Sequence, residues 1–398
     1  MSKITKIIAA AMATMVMSSA FVGCGKDKED DEKTIKISSQ LMTAEVDELR
    51  TIAEAWGKDN GYTVKVEEDQ SEIGDTITAL QSDDGADIEF GIAHDRLGQC
   101  VKAGVVAEMK DDTFDQDSLT SDVLLDAVTV DGTLYAAPIA QETTALFYNK
   151  SKVSEVPDSM EKIIDSGLGF EYQPNNFYYS YAFLAANGGY VYKNNKGKID
   201  VKDIGLNNEG AVKGLEFIAS ICGEGKKMPS DIQATDAKEH FKNGDVAYYL
   251  SGAWDIADLK EALGDNLGAT VIPSLGGGTP SPFMTVQSAF VNENSSKQDA
   301  AFKLLKYLIE NSKDMLIETG NRLPVYSDAT ENKTFKADEI LNIFVDQCKV
   351  GTPMPNVPEA SNMWTPAQNG IDSVTKGEAT PQEAADKIVE DINEANNQ

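Results

Sequence analysis

Apolar positions along this chain recur with two periods, and their order predicts an architecture. Residues 34–38 (TIKIS) read as a short strand. Over residues 44–60, Val46, Leu49, Ile52, Ala53 and Trp56 fall at helical spacing, and Gly61 supplies the glycine that ends the helix. Trp56 lies on that stripe and is expected in the core. Tyr62, Val64 and Val66 alternate as a second strand, and Ile73, Ile77 and Leu80 indicate a second helix. In residues 85–96, GADIEFGIAHDR, the alternation of Ile88, Phe90 and Ile92 predicts a half-buried strand. Strand, helix, strand, helix, strand is the signature of a mainly parallel sheet covered by helices.

The charged pair Asp95 and Arg96 then falls at or just past the third strand's carboxyl end, where open α/β sheets place their ligand crevice. Leu97 and Val101 face inward on a short helix that stops at Gly104, and Asp131-Gly132 turns a hairpin between Val128/Val130 and Leu134/Ala136. Residues 137–148 form a long extended run containing a proline, which predicts a crossing between domains with Glu142 at the crossing. The pattern restarts over residues 153–254, with a helix at 209–222 and a strand at 246–250 turned by Gly252-Ala253-Trp254. A second crossing is expected at 271–273, and Gly276-Gly277-Gly278 reads as a flexible loop without a phosphate-binding GxxxxGK pattern. Ser296 is expected to cap a helix over 296–309, with Ala300, Ala301, Leu304, Leu305 and Leu308 buried. The last helix carries a capping box, with Thr380 as cap, Pro381 in the first turn and Glu383 at the third position.

The amino terminus changes the picture. Lys3 and Lys6 precede an apolar run over 7–22, too short for a membrane span and flanked as a signal peptide. It ends Phe21-Val22-Gly23-Cys24, which resembles a bacterial lipobox with Phe21 where leucine is usual. That resemblance implies a lipidated Cys24 as the mature amino terminus, and residues 25–33 (GKDKEDDEK) read as a self-repelling tether. The net charge of −30, from 35 basic and 65 acidic residues, opposes nucleic-acid binding and favours a soluble monomer. Cys100, Cys222 and Cys348 are far apart and show no paired spacing, so three buried thiols are expected, with no metal site and no cofactor.

The chemistry present suits recognition of a polyol. The chain has only two histidines, His94 and His240, and no nucleophile motif accompanies them, so His94 is expected to be structural. A carboxylate beside a guanidinium accepts from and donates to hydroxyls without breaking bonds. Trp254 and Trp364 sit in loop-like contexts, and Tyr178 in the run Phe177-Tyr178-Tyr179, where aromatic faces can pack on sugar rings. A glycosidase using Glu142 as acid stays open as an alternative, as does a glycan-tethering adhesin.

These residues fall in motifs similar to those of the maltose/maltodextrin-binding proteins, the extracellular receptors of ABC importers. The motifs are AHDR at 93–96, APIAQETTALFYNK at 137–150, AANGGY at 185–190, SGAW at 251–254 and MPNVPEASNMW at 354–364. The resemblance implies two α/β lobes joined by a hinge, the periplasmic-binding-protein-like fold, with the ligand cleft between them. It implies lobes of 34–140 plus 279–319 and 142–272 plus 322–398, with hinges near 139–143 and 270–276. By position, Ala93, Asp95 and Arg96 match first-lobe sugar contacts, Glu142 a hinge-side acceptor, and Tyr178, Trp254 and Trp364 the second-lobe aromatics. Implied partners are a maltodextrin, a permease and the membrane through the lipid anchor. The pattern departs at Ile92 (an aromatic is typical), Asn176 (a carboxylate), Thr365 (a tyrosine), Gln368 (an arginine) and the loop 39–42; the departures at Ile92, Asn176 and Gln368 make a receptor for a different oligosaccharide the first rival reading.

Overall fold

The computed structural model describes residues 33–195 and 198–397. The signal segment, Cys24 and nearly all of the tether lie outside the described residues. Strand β1 (Thr34–Ser39), helix α1 (Thr43–Asn60), strand β2 (Thr63–Glu68), helix α2 (Ile73–Leu80) and strand β3 (Ile88–Ala93) follow in the order the periodicity predicts. β1 pairs in parallel with both β2 and β3. Each connection is therefore a helical crossover. The α1 stripe is buried through Val46, Leu49, Ala53 and Trp56, and Gly61 takes a left-handed φ of 76° while its N–H caps Gly57 O.

Next come α3 (Leu97–Lys102), β4 (Ala137–Asn149), β5 (Phe170–Glu171), α4 (Phe177–Ala185), α5 (Glu209–Ile221), β6 (Tyr248–Gly252), β7 (Leu267–Thr270) and β8 (Phe283–Val291). They are followed by α6 (Gln298–Asn311), α7 (Lys313–Glu318), β9 (Thr352–Pro353), α8 (Trp364–Thr375) and α9 (Pro381–Asn396). Among the described residues the nine labelled strands share one sheet, ordered β2-β1-β3-β8-β4-β6-β5, with β7 also on β4 and β9 on β8. Asp131 and Gly132 both have positive φ (51° and 84°), the geometry a tight two-residue hairpin needs.

The long run behaves as one strand with two sets of neighbours. From Ala137 to Thr143, β4 pairs antiparallel with β8. From Thr144 to Tyr148 it pairs with β6, and from Leu146 to Asn149 with β7. Glu142 lies directly beside this exchange of partners.

Several local expectations are corrected. β3 is buried on both faces, not one: its first five residues are all buried, and β1 and β8 pair with its two edges. Glu89, on its polar alternation, is 0% exposed. Ser296 does not cap α6. Lys297 occupies that position without a side-chain cap, its Nζ drawn to Thr34 O at 2.6 Å and to Asp87 at 3.2 Å. Trp364 is not in a loop; it opens α8 after a 3-10 turn over Pro358–Met363. Gly276 and Gly277 form a pinned turn instead of a loose loop, with Leu275 and Gly278 bonding each other and Gly276 N–H donating to Glu161 at 2.7 Å. Cys100 and Cys222 are buried free thiols, whereas Cys348 is only partly buried.

Gly98 shows why one glycine in α3 is required. A Cβ there would meet the backbone of Asn356, Val357 and Pro358, with Val357 C at 2.6 Å. That segment cannot yield, because the Asn356 amide donates to the carbonyls of Asp126, Ala127 and Thr129. Gly98→Ala is expected to lower stability by about 1–3 kcal/mol, read from urea unfolding midpoints at constant slope.

Candidate functional site

Strand register brings the first candidates together. On β8, Gln287 is opposite Ala93 of β3 on one side and Ala140 of β4 on the other. Two residues along, Thr285 is opposite Glu142. The chain leaving Ala93 turns at once through a 3-10 helix, His94–Arg96, which lifts Asp95 and Arg96 above the strand ends. This is the carboxyl edge of β3 at a point where the sheet changes its connections, the usual place for a crevice in an open α/β sheet.

A cavity of about 540 Å³ opens there. Ala93, Asp95, Arg96, Glu142, Tyr178 and Trp364 all line it. Trp254 does not, but its ring lies 6.1 Å from that of Tyr178 and 6.4 Å from that of Tyr179. Six of the seven candidates thus share one cleft, and the seventh braces its aromatic wall. Glu72, Ile73, Gln99, Thr285, Met354, Ser361 and Thr365 complete the lining.

The aromatic wall is built by local chemistry. Asn176, which stands where the resemblance leads one to expect a carboxylate, caps α4 by accepting from Tyr178 N–H at 3.0 Å. That sets the first turn of the helix and aims Tyr178, whose hydroxyl lies 3.0 Å from Thr285 Oγ1. Trp364 packs edge-on against Phe177 and Phe283, at 6.0 and 5.8 Å. Gly252 is needed because the Trp254 ring occupies the space a Cβ would fill. The turn carrying Trp254 is pinned by Asp255, which accepts from Tyr249 and Ser251 at 2.9 and 2.7 Å. Ile92 is 0% exposed and is no platform.

The polar wall is unevenly charged. Arg96 donates to Gln40 Oε1 at 2.8 Å, which ties the loop after β1 to this wall. Burial pushes the Asp95 carboxyl up to about 6, against Arg96, nearby backbone N–H groups and the Trp364 indole, which favour its ionised form. His94 is fully buried, its Nδ1 accepting from Val286 N–H and its Nε2 donating to Met354 O, both at 3.0 Å. Burial pushes its pKa down to about 4. With both ring nitrogens committed to backbone, His94 joins three segments and is structural, as its isolation from any nucleophile motif predicts.

Glu142 is held on both oxygens. Gln287 Nε2 donates to Oε1 at 2.9 Å, and Arg322 donates to Oε2 at 2.6 Å. Arg322 also forms a two-pronged pair with Glu45, at 2.6 and 2.9 Å. Burial alone would lower the Arg322 pKa, but the Glu142 and Glu45 carboxylates outweigh it and push the pKa up. No sequence signal links Glu45, Arg322 and Gln287, which lie far apart in the chain. Gln99 could have been found, since it lies one helical turn beyond Asp95. Among the described residues no group of three or more His, Cys, Asp or Glu side chains is placed to hold a metal ion.

A two-sided cleft with an aromatic wall and a wall of charged hydrogen-bonding groups defines a binding protein for a small polar ligand. The profile of bacterial extracellular solute-binding proteins matches residues 51–343. The chain belongs to that family. A galactooligosaccharide-binding protein of Bacillus subtilis is 30% identical, covering 98% of this chain and 97% of its own. A maltooligosaccharide ABC transporter solute-binding lipoprotein of Streptococcus pneumoniae is 28% identical, covering 99% and 98%. The solved maltose-maltodextrin binding protein of Alicyclobacillus acidocaldarius superposes with a TM-score of 0.83 at 29% identity, over 90% of this chain and all of its own. The periplasmic-binding-protein-like fold of two α/β lobes, implied by the motifs, is the fold of this protein.

Beneath the cleft, neither carboxyl oxygen of Glu89 has a hydrogen-bond partner. Burial pushes its pKa from the usual 4.5 up to about 8, with smaller contributions from Ser38, Asp69 and Arg96. A raised carboxyl pKa contributes stability at low pH that is lost as pH rises through the folded-state value. Asp95 acts in the same direction only up to about pH 6, and His94 in the opposite direction below about pH 6.5. Between pH 6.5 and 8 Glu89 alone of the three differs appreciably in charge between the folded chain, where it is protonated, and the unfolded chain, where it is ionised. Over that window the wild type is expected to lose up to about 1.4 kcal/mol per pH unit relative to Glu89→Gln, measured by urea unfolding at each pH.

Proposed function

We propose that this protein is a receptor for maltodextrins, anchored outside the cell by a lipid on Cys24, that delivers its ligand to an ABC permease. The observation that carries the reading is the convergence of Ala93, Asp95, Arg96, Glu142, Tyr178 and Trp364 on one cavity of about 540 Å³. Trp364 and Tyr178 pack on the apolar faces of glucose units, and Trp254 supports them. Asp95, Arg96 and Glu142 exchange hydrogen bonds with the hydroxyls. The lobes are 34–140 plus 279–319 and 142–272 plus 322–398, with hinges near 139–143 and 270–276. Sugar contacting both lobes favours a closed form by its higher affinity for that form. No chemical step is involved, and the receptor acts as a monomer. The names of the pneumococcal relative and of the Alicyclobacillus structure support the ligand class and the lipid anchor.

A second reading is a receptor for galactooligosaccharides. The 30% identical Bacillus subtilis relative favours it, as do the departures at Thr365 and Gln368.

Calorimetric titration of the chain from Gly25 onward separates the two. Maltose, maltotriose and maltoheptaose are expected to bind, and a galactooligosaccharide and xylotriose are not. Binding of the galactooligosaccharide alone selects the second reading. Trp364→Ala and Asp95→Ala are each expected to weaken maltotriose binding about tenfold or more, equivalent to about 1.4 kcal/mol. Unchanged affinity in either removes that residue from the site.

A further inference from the structure

The Glu142 carboxylate does not stand free in the cleft. Three features converge on the guanidinium beside it. Arg322 has only 8% of its side chain exposed, and its Nε, Nη1 and Nη2 each bond a carboxylate oxygen. The turn that delivers it, after α7, is specialised. Gly320 leaves room for the Glu45 carboxylate where a Cβ would collide, and Asn321 takes a left-handed φ of 50°. Asparagine is one of the few side chains that tolerates this region. Immediately after Arg322, Leu323 and Gln141 exchange backbone hydrogen bonds at 3.0 Å, which fixes the turn against β4 one residue before Glu142.

The far end of the network is equally fixed. Glu45 is 0% exposed and also accepts from Met42 N–H at 3.0 Å. It therefore ties the loop after β1 to Arg322. Gln40, two residues before Met42, accepts from Arg96 in the same cleft. A chain of contacts thus runs from the Arg96 side of the cleft, through the β1–α1 loop, Glu45 and Arg322, to Glu142.

We propose that Arg322 is a positioning residue for ligand recognition: it holds the Glu142 carboxylate, jointly with Gln287, in the one orientation that presents its remaining acceptor sites to sugar hydroxyls. An ionised carboxylate offers about four acceptor directions over its two oxygens. Gln287 and Arg322 use one on each oxygen, so one pair of adjacent hydroxyls can be accepted by the rest. Glu45 holds the guanidinium on two nitrogens and so aims the third, Nη1, at Glu142 Oε2, whereas an ammonium supplies a point charge with no fixed direction. Arg322 itself is outside the cavity lining and touches the ligand only through Glu142. The inference rests on the sugar-receptor reading above.

The test is a double-mutant cycle on affinity, using Arg322→Lys, Glu142→Gln and the double variant, read by calorimetry with whichever sugar of the panel the wild type binds. Arg322→Lys keeps the charge and is expected to weaken binding at least fivefold in the wild-type background but less than twofold in the Glu142→Gln background. A purely structural role for Arg322 gives the same fold-loss in both backgrounds, and that result overturns the inference while leaving the receptor reading intact. Should Arg322→Lys not fold, Glu45→Gln replaces it in the cycle, since it loosens the other grip on the guanidinium. A wild type that binds no sugar of the panel overturns the receptor reading and the inference with it.

Discussion

The site depends on one strand exchanging its neighbours halfway along. A strand paired along its whole length presents no open edge to a ligand, because both rows of backbone groups are satisfied by neighbours. β4 pairs with β8 as far as Thr143 and with β6 from Thr144 onward. Glu142, half-buried, lies beside that exchange and lines the cavity. The other contributors are placed by reference to this point: Thr285 by direct register, Asp95 and Arg96 by the turn that follows β3, Tyr178 by its hydroxyl contact with Thr285.

Burying that much charge at the exchange is costly unless each group is paired. The protein meets the constraint with a fixed ratio of partners. Glu142 and Glu45 share one guanidinium, and Gln287 supplies a neutral donor to the remaining Glu142 oxygen. Glu89 is the exception, a buried carboxyl without a hydrogen-bond partner, and its pKa of about 8 means that it stays largely protonated near neutrality. Arg96 donates instead to Gln40 of the loop after β1. The cleft therefore has one carboxylate, Glu142, held on both oxygens.

Much of this was legible in the sequence because it is written in local patterns. The β1–α1–β2–α2–β3 order follows from apolar periodicity, and the capping box of α9 from Thr380, Pro381 and Glu383. The motif segments, with the aromatic run 177–179, brought out six residues that the fold gathers into one cavity. What escaped was non-local. Arg322 and Glu45 meet across 277 positions, and neither carries a mark that distinguishes it from any surface charge. β3 misled because alternation reports chemistry, not burial: Glu89 occupies a polar position in a strand buried on both sides. Trp364 misled because a short 3-10 turn after proline looks like a loop, although it leads directly into a helix.

The most direct test of the account is a crystal structure of the chain from Gly25 onward grown with maltotriose. The account predicts sugar in the cavity between Trp364 and Arg96, a glucose face against the Trp364 ring, and hydroxyls on Glu142 and Asp95. Sugar bound elsewhere on the protein, or in the cavity without contact to Trp364 and Glu142, would contradict it.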